Sequence, residues 1–489
     1  MTNRRVMAIP IAMGLLCVNC AVGPDYRRPP VTIPAVFKER ASPDSTLAAE
    51  WTLAQPSDDA IRGKWWETFQ DPLLNALEEQ IAISNQTVAQ AEAQFRAARA
   101  AIRGARADLF PTVTAGVSAT RSRASSTRGR VPVATGTVED YQLPIDFSYE
   151  ADLWGRVRRN VESSVATAQA TSADVETALL SSRAELAFDY FELRGLDAQI
   201  ALFAKTVAAF ERALKLTRAR YGQGVASGVD VAQAQTQLDT ARVQATDLQI
   251  ARAQFEHAIA ILVGKAPADL TIPPATIDVP PPAIPITLPS QLLERRPDVA
   301  AAERRVAAAN AQIGVAQAAF FPTLALTASG GVESSMLTTL LTLPSRFWAI
   351  GPSLVETVFD GGRRSSIKAQ AVANYDATVA AYRQNTLTAF QDVEDNLAAL
   401  RVLAEEDVQA AAAAASANRS LELATNRYVG GVTTYLEVIT AQTAALTNQI
   451  TAADVLTRRM TASVLLIKAL GGGWTTADLP PASSLRHLP

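Results

Sequence analysis

The spacing of apolar residues changes at Pro111. Before it, residues such as Leu77, Ile81 and Val88 recur at intervals of three and four, which predicts a helix over residues 72–108. After it, apolar and polar residues alternate strictly over residues 112–120, and again over residues 141–153. Alternation of this kind predicts strands with one apolar and one polar face. The region therefore begins as a helix and continues as an amphipathic β-hairpin.

Two much longer segments contain no proline and are predicted to be helices, residues 155–221 and 362–428. About 65 residues at about 1.5 Å each give a helix close to 100 Å long. Shorter helices are predicted at residues 229–262, 297–320 and 436–469. Each of these, like the helix at 72–108, is at most about half the length of a long helix. Two short helices stacked end to end would thus run beside one long helix.

The chain repeats itself at an offset of about 210 residues. Leu109-Phe110-Pro111-Thr112 corresponds to Phe320-Phe321-Pro322-Thr323, and Arg220-Tyr221-Gly222 corresponds to Arg427-Tyr428-Val429. The second copy also repeats the alternating runs, at residues 324–332 and 347–359. We therefore divide the chain into a signal peptide (1–19), an extended segment (20–64), a first repeat with its hairpin at 111–153 (65–272), a proline-rich linker (273–289), a second repeat with its hairpin at 322–360 (290–473) and a tail (474–489).

Four amphipathic strands per chain can be interpreted in two ways. A soluble sandwich is the commoner use of such strands, but the sequence predicts no other sheet on which the hairpins could pack. In a bilayer, open sheet edges are not tolerated, so strands must close into a barrel. Because the smallest such barrels have about eight strands, the chain would have to oligomerise, as a dimer with eight or a trimer with twelve. A periplasmic coiled-coil rod would explain the helices but leave the strands unused.

The N-terminus adds an export signal. Arg4 and Arg5 precede an apolar stretch at residues 6–18, which is shorter than a membrane-spanning helix requires. The chain's two cysteines, Cys17 and Cys20, lie at the C-terminal end of this apolar stretch. Cleavage before Cys20 would create a lipoprotein-like acceptor, although Asn19 stands where a small residue is usual. The alternative is an ordinary signal peptide with an incidental cysteine.

Composition argues against catalysis and against nucleic-acid binding. The net charge of −3 offers no electrostatic attraction for phosphate backbones. The two histidines, His257 and His487, are far apart, and the chain has no P-loop, GxSxG or HExxH spacing. We therefore predict no catalytic residues, no metal ligands and no cofactor. The energy for any transport would come from a partner.

Three stretches resemble the outer-membrane factor family, the TolC- and OprM-like exit ducts, and most closely its NodT-like lipoprotein branch for resistance-nodulation-division efflux. They are Trp65-Trp66 with Asp71-Pro72-Leu73, Arg295-Arg296-Pro297-Asp298-Val299, and Cys20-Ala21-Val22-Gly23-Pro24. The resemblance covers nearly the whole chain. It implies a lipid-anchored homotrimer: a twelve-stranded barrel in the outer-membrane lipid over a twelve-helix periplasmic tunnel. It also implies two partners, a periplasmic adaptor of the membrane fusion protein type and an inner-membrane resistance-nodulation-division pump.

The resemblance places the periplasmic tip at the turns 221–228 and 428–435. Residues there are expected to contact the adaptor, although turn chemistry alone also explains their glycines. They are Tyr221, Gly222, Gly224, Ser227, Gly430, Gly431 and Thr434. The family pattern also implies a gate, in which a hydrogen bond between Tyr428 and Asp230 ties neighbouring coils. The alternative role of Asp230 and Glu437 is to complement a helix dipole.

Three further residues complete the expected gate. Glu437 would form a carboxylate ring around the axis, with Thr440 one turn along, and a ring of this kind favours cations. Thr433 occupies a position where some family members have an arginine. Taken together, the sequence predicts a passive exit duct for tripartite efflux. The alternatives are a type I protein-secretion duct and a soluble periplasmic adaptor or structural protein.

Overall fold

The computed structural model describes residues 21–39, 63–125, 136–277, 279–284 and 294–486. Within these ranges the chain is mainly helical and contains one antiparallel sheet. A short 3-10 turn, Trp65–Phe69, precedes the first helix. The elements in order are α1 Pro72–Ser84, α2 Gln86–Ala107, β1 Thr112–Ala115, β2 Ser118–Arg123, β3 Thr137–Ala151, α3 Arg156–Gly222, α4 Gly228–Leu262, α5 Pro297–Ala318, β4 Thr323–Ser334, β5 Arg346–Val355, α6 Arg363–Val429, α7 Tyr435–Ala469 and α8 Ala482–Arg486.

The long helices agree with the prediction. Helices α3 and α6 contain 67 residues each, which corresponds to about 100 Å. Each begins directly after a glycine with positive φ, Gly155 at 79° and Gly362 at 89°. Helices α4 and α7 contain 35 residues each, and α2 and α5 contain 22 each. Helices of equal length therefore recur in the same order in both halves of the chain.

The single helix predicted at residues 72–108 is wrong, because the structure breaks it at Asn85. The backbone of Asn85 is extended, and its side-chain oxygen accepts hydrogen bonds from the backbone N–H groups of Thr87 and Val88. Asn85 thus serves as the N-cap of α2. Its amide nitrogen donates to the carbonyl of Leu262, at the end of α4 (2.8 Å). The break is where α2 and α4 meet end to end.

A matching junction joins α5 to α7. The Arg296 guanidinium donates to the Ala469 carbonyl at the end of α7 (3.4 Å) and forms ion pairs with Asp298 (2.6 Å) and Asp392 (2.8 Å). Gly471 at this junction (φ 95°) and Gly264 at the other (φ 69°) hold backbone angles that favour glycine. A Cβ atom would overlap the Arg295 carbonyl at Gly471, and the Ser84 carbonyl at Gly264. Close backbone approach therefore makes the end-to-end stacking possible at both junctions.

The sheet has the order β1/β2–β3–β4–β5, and all its pairs are antiparallel. Each half of the chain supplies one hairpin, as predicted, and the pairing of β3 with β4 joins the two hairpins. The strand predicted over residues 112–120 is interrupted at Gly116 and Val117, so the sheet has five strands rather than four. The last strand ends at Val355, before the predicted residue 359, because Glu356 and Asp360 bind Arg364 instead.

The register aligns the apolar positions on one face of the sheet. Val113, Phe147, Ala328 and Ile350 occupy one row across the sheet. Neighbouring positions on the opposite face carry polar groups, and the Ser329 hydroxyl donates to the Asp146 carboxylate there (2.6 Å). The apolar face is exposed in the single chain: Trp348 is 80% exposed and Ile350 75%. The chain thus presents a continuous apolar surface, four strand positions wide, that nothing in its described part covers.

The N-terminal segment 21–39 packs along helices of both repeats. Its Val22 N–H donates to the Trp154 carbonyl where β3 gives way to α3 (2.9 Å). Farther along, the Asn310 side chain on α5 donates to the Pro24 carbonyl (2.9 Å), and Arg28 donates to the Tyr382 hydroxyl on α6 (3.1 Å). The segment therefore ties the two repeats together, starting at the sheet.

Candidate functional site

The helical end opposite the sheet consists of two helix hairpins, α3–α4 and α6–α7, each closed by a short turn. The turns are residues 223–227 and 430–434, so Tyr221 and Gly222 belong to α3 rather than to the turn. Gly224 and Gly431 occupy equivalent positions and share φ 76°. Each is followed by an exposed valine, Val225 (68%) and Val432 (71%). Both turns of the tip therefore present a glycine, whose backbone no side chain covers, followed by an exposed apolar side chain.

In the first turn, Ser227 and Asp230 cap each other. The Asp230 backbone N–H donates to the Ser227 hydroxyl (3.2 Å), and the Asp230 carboxylate accepts from the Ser227 N–H (2.9 Å). This reciprocal arrangement is a capping box at the N-terminus of α4. Both contacts of the carboxylate use its Oδ2 atom. Its Oδ1 accepts no hydrogen bond from the described part of the chain.

The second turn uses equivalent residues differently. Thr434 is the N-cap of α7, but its side chain makes no capping hydrogen bond. Glu437 forms an ion pair with Arg427 on α6 instead (3.2 Å). The Thr433 hydroxyl is buried and has no hydrogen-bond partner among the described residues. The Thr440 hydroxyl donates to the Leu436 carbonyl within its own helix (3.0 Å). The carboxylate expected to line a ring therefore has a cation beside it within the same chain.

Tyr428 lies at the centre of the contacts between the two hairpins. It is 6% exposed and packs on the Tyr435 ring with a centroid separation of 5.3 Å. Its hydroxyl lies 3.3 Å from the Thr217 hydroxyl on α3. Burial, followed by the neighbouring Tyr428, raises the pKa of Tyr435 to about 12. Tyr435 therefore stays neutral at any physiological pH.

The structure brings together some of the predicted gate residues but not all of them. Tyr428 and Asp230 are not hydrogen-bonded to each other within the chain, because their hydroxyl and carboxylate contact Thr217 and Ser227. The expected tie between neighbouring coils concerns a second chain and stays a prediction. Tyr221, the equivalent of Tyr428, is 55% exposed. The two copies of the tip are thus unequal within one chain.

Sequence reasoning did not select Arg220, which contacts the second hairpin most directly. Its guanidinium donates to the Tyr428 carbonyl (2.7 Å) and lies 4.6 Å from the Tyr428 ring centroid. A signal was present, because an arginine precedes the tyrosine in both copies, as Arg220-Tyr221 and Arg427-Tyr428. The sequence pattern could not show that only one of these arginines crosses between hairpins.

Neither a metal site nor a helical membrane span emerges from the described ranges. Among these residues no group of three or more His, Cys, Asp or Glu side chains could hold a metal ion. None of the helices described is long and apolar enough to cross a membrane.

Comparison with known proteins gives a consistent result over nearly the whole chain. The profile of the outer membrane efflux protein family matches twice, at residues 77–265 and 288–472. The toluene efflux pump outer membrane protein TtgF of Pseudomonas putida is 34% identical over 482 residues, covering 97% of this chain and 98% of that protein. Outer membrane protein OprJ of Pseudomonas aeruginosa is 34% identical over 477 residues, covering 96% of each. The structure of the outer-membrane channel OprN superimposes with a TM-score of 0.85 at 32% identity, covering 93% of this chain and 100% of that one.

Proposed function

This chain belongs to the outer membrane efflux protein family, and from that premise we propose that three copies form the complete duct. The protein is an outer-membrane exit duct of a tripartite efflux system and not an enzyme. One observation supports the duct most directly. A sheet with a continuous apolar face leads at once into helices about 100 Å long, so one chain combines a lipid-compatible surface with a long periplasmic extension.

The trimer is proposed from the unpaired edges of the sheet. Four strand positions leave the outer sides of β1/β2 and β5 without partners in the described chain. A bilayer does not tolerate such edges, and four positions are too few to close a barrel. Three copies would provide twelve positions, with twelve helical columns from the stacked pairs and the long helices below them. We further propose a periplasmic adaptor and an inner-membrane resistance-nodulation-division pump as partners. TtgF is named as part of a toluene efflux pump, which supports small molecules as cargo.

Conductance across a planar bilayer tests the duct together with its gate. We expect the purified trimer to conduct ions, and the combination Tyr428→Phe with Asp230→Ala to raise the conductance by removing the proposed tie between chains. Glu437→Gln is expected to lower the preference of the same channels for cations, because it removes the ring of carboxylates. The exposed Thr440, three residues beyond Glu437 on α7, would line the gate, whereas the Thr433 hydroxyl is buried in the turn before this helix. A soluble monomer that never conducts would refute the duct, whereas unchanged conductance in the double variant would refute only the tie.

The tip is proposed to dock the adaptor through its bare backbone and its exposed apolar side chains. Tyr221, Val225 and Val432 are exposed there, and a Cβ at Gly222 or Gly224 would meet no atom within 4 Å. Ser227, Gly430, Gly431 and Thr434 complete the surface. Gly224 and Gly431 have positive φ, so any side chain at these positions also strains the turn. Gly222 is helical and therefore tests the effect of bulk alone.

Replacing Gly222 with alanine is expected to weaken adaptor binding about tenfold, because each added methyl group separates the docked surfaces. The trimer should assemble normally, since the new side chain meets open space. Gly104→Ala is the matched control, because Gly104 is also helical and open but lies on α2, near the sheet. Binding of the purified adaptor to immobilised trimer measures both variants. Equal binding by both would show that the adaptor does not dock closely on the tip surface at Gly222.

Lipid anchoring at Cys20 is a further proposal. Cys20 lies outside the described residues, but Ala21 follows it and lies beside Gly155, where the sheet meets α3. An N-terminal cysteine held beside the junction of β3 and α3 would place its acyl group at the periplasmic end of the lipid-facing sheet. Metabolic labelling with palmitate should mark the wild-type protein and not Cys20→Ser. Equal labelling of the two proteins would refute the assignment.

A further inference from the structure

The two helix hairpins of one chain meet at the tip through very few polar contacts. Three hydrogen bonds join them in the described part of the chain, and Arg220 makes two of these. We propose that Arg220 is a latch, which holds the second hairpin against the first and must be released when the duct opens. This inference rests on the proposed function and names a positioning residue for its gate.

The latch consists of the Arg220 guanidinium, which binds the C-terminal end of helix α6. Nη1 donates to the Tyr428 carbonyl (2.7 Å) and Nη2 to the Val429 carbonyl (3.2 Å). These carbonyls belong to the last turn of α6, where the helix dipole places negative partial charge. The guanidinium also lies over the Tyr428 ring, 4.6 Å from its centroid. Arginine suits this position because its planar fork can bond two oxygens and stack on a ring at once.

The latch lies at the outer end of an apolar cluster. Phe210 and Leu214 on α3 pack with Tyr428, Tyr435 and Val438 of the second hairpin. Arg220 follows Leu214 towards the turn. The apolar cluster can therefore keep the hairpins associated after the Arg220 contacts break, while the last turns move apart. Such an arrangement permits opening at the tip without separation of the whole hairpins.

The equivalent arginine of the other copy makes no such bridge in the part of the chain that the structure describes. Arg427 forms an ion pair with Glu437, which is on its own hairpin. Arg218, two residues before Arg220, also stays within its own hairpin, because it donates to Gln235 on α4 (2.8 Å). Bridging is therefore a property of position 220 and not of arginines at the tip in general. Arg218 provides a control of the same residue type on the same helix.

Planar-bilayer recording of the reconstituted trimer tests the latch. Arg220→Ala is expected to raise the mean conductance about tenfold, because two charge-assisted hydrogen bonds that favour the closed tip are lost. Arg218→Ala should conduct like the wild type. Arg220→Lys should give an intermediate value, because it keeps the charge but not the fork. The yield of trimer serves as a second readout, which a purely structural role of Arg220 would lower without changing conductance per trimer.

The latch is overturned if Arg220→Ala trimers assemble and conduct like the wild type. If Arg220→Ala does not assemble, Arg220→Lys decides, and wild-type conductance in that variant overturns the latch. Failure of the duct itself looks different, because then no trimer conducts, including the double variant Tyr428→Phe with Asp230→Ala. A conducting double variant beside a silent Arg220→Ala would refute the latch alone.

Discussion

Replacing Phe147 with arginine is expected to prevent the chain from accumulating as a trimer in the outer membrane. Phe147 lies in the row of the apolar sheet face that also contains Val113, Ala328 and Ile350. An arginine facing lipid near the middle of a barrel costs about 2–4 kcal/mol, so three copies cost about 6–12 kcal/mol per trimer. A penalty of that size approaches the whole stability of a typical folded protein.

The matched control is Ser148→Arg, which introduces the same side chain one residue later. Ser148 pairs with Thr112 and Thr327, so its side chain belongs to the opposite, polar face. This variant should assemble, because a charge facing water carries little penalty. Heat-resistant trimer in isolated outer membranes measures both variants. If Phe147→Arg assembled as well as Ser148→Arg, the apolar face could not be the surface that contacts lipid.

The second large effect is expected at the end-to-end helix junctions. Gly471→Ala and Gly264→Ala should each lower the free energy of unfolding by about 2–5 kcal/mol. Of this, about 1–2 kcal/mol comes from placing a Cβ at positive φ. The remainder, about 1–3 kcal/mol, comes from overlap of that Cβ with a backbone carbonyl group across the junction. The urea midpoint of the detergent-extracted trimer provides the measurement.

Gly224→Ala separates these two contributions. Its φ of 76° imposes a similar backbone strain, but its Cβ would enter open space. Gly224→Ala should therefore shift the urea midpoint clearly less than either junction variant. Equal shifts for all three glycines would mean that backbone strain alone explains their presence and that the junctions tolerate a side chain.

Much of the architecture could be predicted from the sequence, because the relevant signals are local and repeated. The long helices follow from proline-free segments and the hairpins from alternation, and both recur in the second copy. The break at Asn85 could not be predicted from periodicity, since the apolar spacing continues across it. What breaks the helix is the end of α4, which lies 177 residues away and accepts the Asn85 amide hydrogen bond.

The tip also shows that a local sequence pattern does not reveal which residues meet in the folded chain. Asp230 and Glu437 occupy corresponding positions in the two copies, yet Asp230 forms a capping box with Ser227 whereas Glu437 binds Arg427 rather than capping with Thr434. Internal repeats reveal which positions correspond, but each copy has different neighbours within the chain. Arg220 reaches the second hairpin because α6 lies beside α3, a relation that no local pattern encodes.

The path of residues 21–39 has a consequence for the order of folding. Its partners extend from Trp154 to Arg401, which binds Glu39 across a separation of 362 residues. Contacts between such distant parts of a chain form late, since they require both ends to be present and correctly placed. Residues 21–39, although synthesised before both repeats, therefore dock onto the molecule after both halves have emerged. Docking of residues 21–39 would therefore be the last step in the folding of each subunit.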